Sequence, residues 1–283
     1  MPTNLILGYD GSPAANAAIN AGAQLFPSAH AWIAHIWTPP FTSKRLRRRL
    51  RAAAESADDL AELIEREGAR EADNVVGAGV ALAKAAEWDA EPVVKRTIGS
   101  DGLRLAQLAE RLHADVIVVG DRGLGRTEAV IGSVSDMVVH YATVPVLVVP
   151  NPLLTEEYEA LARGPVVVGY DGSAAAEAAT DAARRLFPDR KVIVAAVRDD
   201  DHEVVAGPAA EGLEMLTVDE TNWFGRARDR AIADELIAVG DRSDAAVLVV
   251  GSRGRSAARE VLLGSVAVAT VHRSHRPVLV VHS

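Results

Sequence analysis

Asn4-Leu5-Ile6-Leu7-Gly8-Tyr9-Asp10-Gly11-Ser12 decides the fold, because its second half returns later in the chain as Gly169-Tyr170-Asp171-Gly172-Ser173. The offset is 161 (171 − 10), and Leu25-Phe26-Pro27 recurs at the same offset as Leu186-Phe187-Pro188. A short apolar run that ends in glycine and aspartate and leads into an alanine-rich stretch is the opening of a strand-to-helix unit. The chain therefore carries that unit twice. Val118-Val119-Gly120-Asp121-Arg122-Gly123 matches Val249-Val250-Gly251-Ser252-Arg253-Gly254, but here the offset has fallen to 131 (251 − 120). About thirty residues are missing from the middle of the second copy. Each copy closes on a proline-led apolar run, Pro145-Val146-Leu147-Val148-Val149 and Pro277-Val278-Leu279-Val280-Val281.

Working outward, the first copy shows five apolar or β-branched runs that read as strands: Asn4–Tyr9, Ala31–Trp37, Pro92–Ile98, Val116–Gly120 and Val144–Val149. Helical periodicity fills the gaps, with Ala15, Ala18, Ile19, Gly22 and Leu25 on one face, Leu46 through Ile64 on another, and Leu105, Leu108, Ala109 and Leu112 on a third. The second copy repeats the strands at Val166–Tyr170, Lys191–Val197, Met215–Val218, Ala246–Val250 and Val278–Val281. Alternation of this kind predicts an α/β fold: two tandem, doubly wound, five-stranded parallel-sheet domains of Rossmann-like type, with ligands at the carboxyl ends of the strands. The expected division is residues 1–150, a linker over 151–164, and 165–283. The second domain lacks the long helical region Lys44–Trp88 and has Asp199–Gly212 in its place, which predicts a bare sheet face that another subunit would cover. The duplicated closing strands, apolar and at sheet edges, are expected to pair with each other as an internal pseudo-dimer or with a second chain, and a homodimer is expected.

Composition narrows the function. A length of 283 residues with 49% hydrophobic and 24% charged suits two globular domains. The net charge of −9 argues against broad nucleic-acid binding, which relies on many lysine and arginine contacts to phosphates. Cysteine is absent, which removes disulfides and thiol chemistry and fits a reducing compartment. No apolar run nears the ~20 residues that span a bilayer, and no leader pattern opens the chain, so the expectation is a cytoplasmic protein without a membrane partner.

The chemistry-bearing pattern is a glycine-spaced loop between a buried strand and a helix start. In the second copy Gly251 and Gly254 are followed after nine residues by Gly264-Ser265-Val266; in the first, Gly120 and Gly123 are followed after eight by Gly132-Ser133-Val134. Glycines there allow close backbone approach, and the N–H groups that open the next helix make an anion site, so a phosphate chain fits. A purely structural turn is the other reading of a single such loop, and its repetition favours the ligand.

Gly-x2-Gly-x9-Gly-Ser, together with the early Asp-Gly-Ser and the closing Pro-Val-Leu-Val-Val, resembles the ATP-binding branch of the universal stress proteins, twice over and across nearly the whole chain. The resemblance implies that Asp10 and Asp171 stand by adenine and ribose. It implies that Val119, Gly120, Gly123, Gly132, Ser133 and Val134, and in the second copy Val250, Gly251, Gly254, Gly264, Ser265 and Val266, hold ribose and phosphates. The backbone at Ile36 and Val197 would border the adenine. The implied cofactor is ATP, with or without Mg2+, and the implied role is regulatory binding in a stress response without strong catalysis. A slow ATPase or nucleotide-transfer enzyme, and a scaffold that binds no nucleotide, are the competing classes. Asp10 and Asp171 are equally placed to cap the following helix, and Arg122, Arg253 and Arg255 either touch phosphate or are solvated. The shorter first loop predicts a helix start turned by ~100° and therefore a weaker first site.

Other features carry less. The run Lys44–Arg51 is followed by Glu55, Asp58, Asp59 and Glu62 and reads as a solvated, ion-paired face. His272 and His275 lack the companions of a metal site, and neither Ser133 nor Ser265 sits in the Gly-x-Ser-x-Gly elbow of a hydrolase nucleophile. Gly-x4-Gly-Lys-Ser/Thr is absent, which excludes a P-loop NTPase.

Overall fold

The computed structural model describes residues 3–39, 44–121, 132–198, 208–210, 213–219, 226–254 and 263–282. The first repeat runs β1 (Asn4–Gly8), α1 (Pro13–Leu25), β2 (His30–Trp37), α2 (Lys44–Ala53), α3 (Ala57–Ala85), β3 (Asp89–Arg96), α4 (Asp101–Arg111), β4 (Val116–Gly120), α5 (Ser133–Tyr141) and β5 (Val146–Val149). A helix α6 (Thr155–Arg163) leads into the second repeat: β6 (Val166–Tyr170), α7 (Ala174–Leu186), β7 (Val192–Arg198), β8 (Glu214–Asp219), α8 (Arg226–Arg242), β9 (Val247–Gly251), α9 (Ser265–Arg273) and β10 (Val278–Val281).

Local chemistry explains the boundaries. Ser12 and Ser173 cap α1 and α7, each Oγ accepting from the third backbone N–H beyond it, Ala15 at 3.1 Å and Ala176 at 3.2 Å. Ser56 and Ser100 do the same for α3 and α4. The long helical region expected over Lys44–Trp88 is broken at Ala54-Glu55-Ser56, where Ser56 starts α3 with Asp58 and Asp59 in its first turn.

The strand order is β3-β2-β1-β4-β5-β10-β9-β6-β7-β8, one ten-stranded sheet. Within each half all pairs are parallel, and the order reverses between β1 and β4 and between β6 and β9. The halves join through β5 and β10, antiparallel, with Val146 opposite Val280, Leu147 opposite Leu279 and Val148 opposite Val278. The pairing of closing strands is thus internal, and the two five-stranded sheets read from the sequence are halves of a continuous one. Alternation along the strands sends Leu5, Leu7, Leu147 and Leu279 to one face and Ile6, Ile117, Val146 and Leu248 to the other. Each of these two buried clusters draws residues from both repeats.

The segment read as a linker folds as α6, with Leu161 fully buried. Beside it, Arg190 donates to the carbonyls of Leu161 (2.6 Å), Gly164 (3.0 Å) and Gln24 (3.3 Å), tying α1, α6 and the second repeat together. Phe26 stacks on Phe187, its own duplicate, with ring centroids 5.1 Å apart. Part of the face expected to be bare on the second half is met by the chain itself. Ala209 and Ala210, inside the replacement loop, are buried, and Ala210 packs with Tyr170, Ala176 and Val194. Glu177 holds that turn, accepting from Ala209 N–H at 2.8 Å and from the Tyr170 hydroxyl. No helix among the described residues is long and apolar enough to cross a membrane.

Candidate functional site

The carboxyl ends of β1, β2 and β4 meet where the strand order reverses, and a cleft of about 220 Å³ opens there. Of the residues predicted for the first copy, Asp10, Ile36, Val119, Gly120, Gly132, Ser133 and Val134 line it together. Gly123 lies outside the described residues, as do Arg122 and Arg255.

Its geometry follows from the backbone. Gly11 has φ of +80°, which suits glycine, and swings the chain so that Asp10 Oδ1 accepts from Ser12 N–H at 2.9 Å. Asp10 thus helps cap α1, and Ser12 caps it as well. Gly120 ends β4 directly over α1: a Cβ there would stand 2.7 Å from the Ala14 carbonyl carbon and oxygen. The glycine is demanded by that close approach. Beyond the loop, Gly132 N–H donates to Asp121 O at 2.7 Å, and Ser135 Oγ donates to Gly120 O at 2.6 Å. These two bonds fix the start of α5, whose cap, Gly132, offers no side chain to its first N–H groups. The open N–H groups and the helix dipole face an anion favourably. Ser133 is exposed, and none of the hydrogen bonds among the described residues involves its hydroxyl.

Sequence reasoning missed several members of the lining, among them the titratable His35 and Asp101. His35 Nδ1 lies 2.8 Å from Tyr9 O, and Asp101 accepts from Thr38 Oγ1 at 3.3 Å. Burial raises the Asp101 carboxyl above its ordinary range, against the opposing pull of the Thr38 bond and of His35. Burial also raises the Tyr9 phenol, and Asp10 adds to it. Asp101 had a signal: it opens α4 behind Gly99-Ser100, at the carboxyl end of a predicted strand.

The second copy reproduces much of this. Gly172 has φ of +76°, Asp171 Oδ1 accepts from Ser173 N–H at 2.9 Å, and a Cβ on Gly251 would stand 2.8 Å from the Ala175 carbonyl. Val250 is buried at the end of β9, and Val197 lies on β7 opposite Val218. Gly264 N–H donates to Ser252 O at 2.6 Å, the counterpart of the bond made by Gly132. Both helices start with nearly the same backbone, φ −59° and ψ 147° at Gly132 against φ −72° and ψ 151° at Gly264. Each helix start is tied back to the residue that follows its strand by the same hydrogen bond, and the rotation expected from the shorter first loop is not seen at Gly132 and Gly264. The copies differ instead at the serine: Ser265 Oγ donates to Asp229 Oδ2 at 2.5 Å. Val266 follows it, partly buried, in the first turn of α9.

Among the described residues no group of three or more histidine, aspartate or glutamate side chains could hold a metal ion. His272 and His275 line a separate cleft of about 370 Å³ between the end of α9 and the chain entering α6.

Comparison with known proteins follows the same lines. A family model described as the universal stress protein family matches residues 1–150 and 225–282. A universal stress protein of Mycolicibacterium smegmatis is 32% identical over 184 residues, and one of Mycobacterium tuberculosis is 31% identical over 189 residues. In each case the match covers 59% of this chain and spans 62% of the relative's own length. Among solved structures, a universal stress protein from Archaeoglobus fulgidus superposes with a TM-score of 0.65 at 18% identity, over 100% of this chain and 99% of that one. That last likeness is one of fold.

Proposed function

We propose, from the premise that this chain belongs to the universal stress protein family, that it binds a nucleotide, ATP, in the first-repeat cleft and acts as a regulatory protein without strong catalysis. The observation that carries the reading is the convergence of Asp10, Ile36, Val119, Gly120, Gly132, Ser133 and Val134 on one cleft at the switch point of the sheet. The apolar end of the cleft, at Ile36 and Leu105, suits a flat base. The end at Gly132 and Ser133 offers a helix N-terminus and a hydroxyl to phosphates. Asp10, on the same lining, would accept from a ribose hydroxyl. Mg2+, where present, would travel with the phosphates. The reading places the protein in the cytoplasm, responding to ATP supply.

Two measurements test it. The purified protein is denatured and any released nucleotide identified, then the nucleotide-free chain is titrated with ATP, ADP, AMP and cyclic AMP. Saturable binding of ATP, with no phosphate released from labelled ATP above the protein-free rate, is the expected result. Sustained phosphate release would assign an ATPase instead, and no binding of any of the four would leave a scaffold.

A further inference from the structure

The first turns of α8 depart from the pattern of α4. Aligned through Leu105 and Leu236, at the offset of 131, the two helices end together at Arg111 and Arg242, and α8 begins six residues earlier, 17 residues against 11. Six residues at ~1.5 Å each carry it ~9 Å further toward the carboxyl ends of the strands. Asp229 lies on that extension, and there its Oδ2 accepts from Ser265 Oγ at the start of α9. At the same offset the first repeat has Ile98, outside any helix and 83% exposed. Of the two carboxylates that border the first cleft, Asp10 accepts from Ser12 N–H and Asp101 from Thr38 Oγ1. In the second repeat a further carboxylate is close, since Asp171 Oδ2 would stand 3.1 Å from a Cβ on Gly254.

We infer that the anion position of the second repeat is occupied by the chain's own Asp229, and that this residue limits the protein to one bound nucleotide, held in the first repeat. The inference rests on the nucleotide reading given above. A carboxylate and a phosphate compete for the same hydroxyl and the same positive end of a helix. Asp229 reaches that hydroxyl, on the first residue of α9, from a helix already in place, so it loses none of the translational freedom that a bound nucleotide must give up. Its charge also repels any phosphate that approaches. Loss of a single charge-assisted hydrogen bond weakens binding by about ten- to a hundred-fold.

Calorimetric titration of the intact, nucleotide-free chain with ATP tests this. The native protein is expected to take one ATP, through a phase that Gly132→Val removes. Asp229→Ala is expected to take two, the second phase at least about ten-fold stronger than any residual binding at that repeat in the native chain. Should Asp229→Ala fail to fold, Asp229→Asn keeps the shape but removes the negative charge and leaves only a weaker, neutral partner for Ser265, and is likewise expected to open the second site. Two sites in the native protein, or a single site in a folded Asp229 variant, overturn the inference and leave the nucleotide reading standing; a native phase that survives Gly132→Val overturns both, because that reading puts ATP in the first-repeat cleft. Absence of ATP heat in every variant overturns the nucleotide reading and this inference with it.

Discussion

His282 sits just past the end of β10, and its Nε2 lies 2.8 Å from the carbonyl of Val139 in the first repeat. Burial pushes its imidazole below the ordinary value of 6.5, and Arg253 and His140 push the same way, against the carbonyls of Val139 and Val144. The unfolded chain therefore takes up this proton near 6.5 and the folded chain only at lower pH. Between those points the unfolded state holds more protons, so this contribution to stability is full above about pH 6.5 and is lost as the pH falls through the folded value. Urea midpoints measured from about pH 8 to about pH 5 should fall in that window, and His282→Gln should flatten the fall; an unchanged slope would show that other groups cause it. None of this was legible in the sequence, where His282 is a penultimate residue with no motif around it. Asp10 was legible by contrast, because its role depends on neighbours two residues away. The bond from Ser12 N–H shows the cap, one of the two roles that the motif alone left open.

The elements were readable where a single period governs them. β1, β4, β6 and β10 fall within a residue of the runs that announced them. β3 does not: it was read from Pro92 and begins at Asp89, because the parallel register with β2, His30 against Asp89 through Trp37 against Arg96, recruits polar residues that alternation alone would exclude. Val144 and Pro145 were read into β5, yet pairing with β4 begins at Val146. The six extra residues of α8 were likewise invisible, since a helix that runs past the ends of the strands has the same periodicity as one that stops short. At the seam, Leu147 and Leu279 face each other across β5 and β10, both fully buried. Truncating either to alanine should cost about 2–5 kcal/mol in urea denaturation. Because the two side chains share one space, the double variant should cost measurably less or more than the sum. Strict additivity would mean that the seam is packed by other residues.

At the scale of the whole molecule, duplication and topology were legible, and the joining of the halves followed from two apolar edges. What the sequence could not supply was the continuity of both buried clusters across the seam, which depends on register. A continuous core predicts that the intact chain melts in one transition, and calorimetry showing two well-separated ones would refute it. Cutting the chain should expose the edge: a fragment of residues 1–150 presents β5 unpaired and should associate with itself, so a fragment that stays monomeric at high micromolar concentration in light scattering would contradict the pairing drawn here. The stack of Phe26 on Phe187 has a consequence of another kind. In an assembly of two identical chains, a substitution at such an axis strikes both sides of the contact at once and must be compatible with its own mirror partner. Once the two copies share one chain, each side changes alone. One half is then free to keep an inherited pocket while the other is remodelled, a divergence that a symmetric pair of gene products has no means to reach.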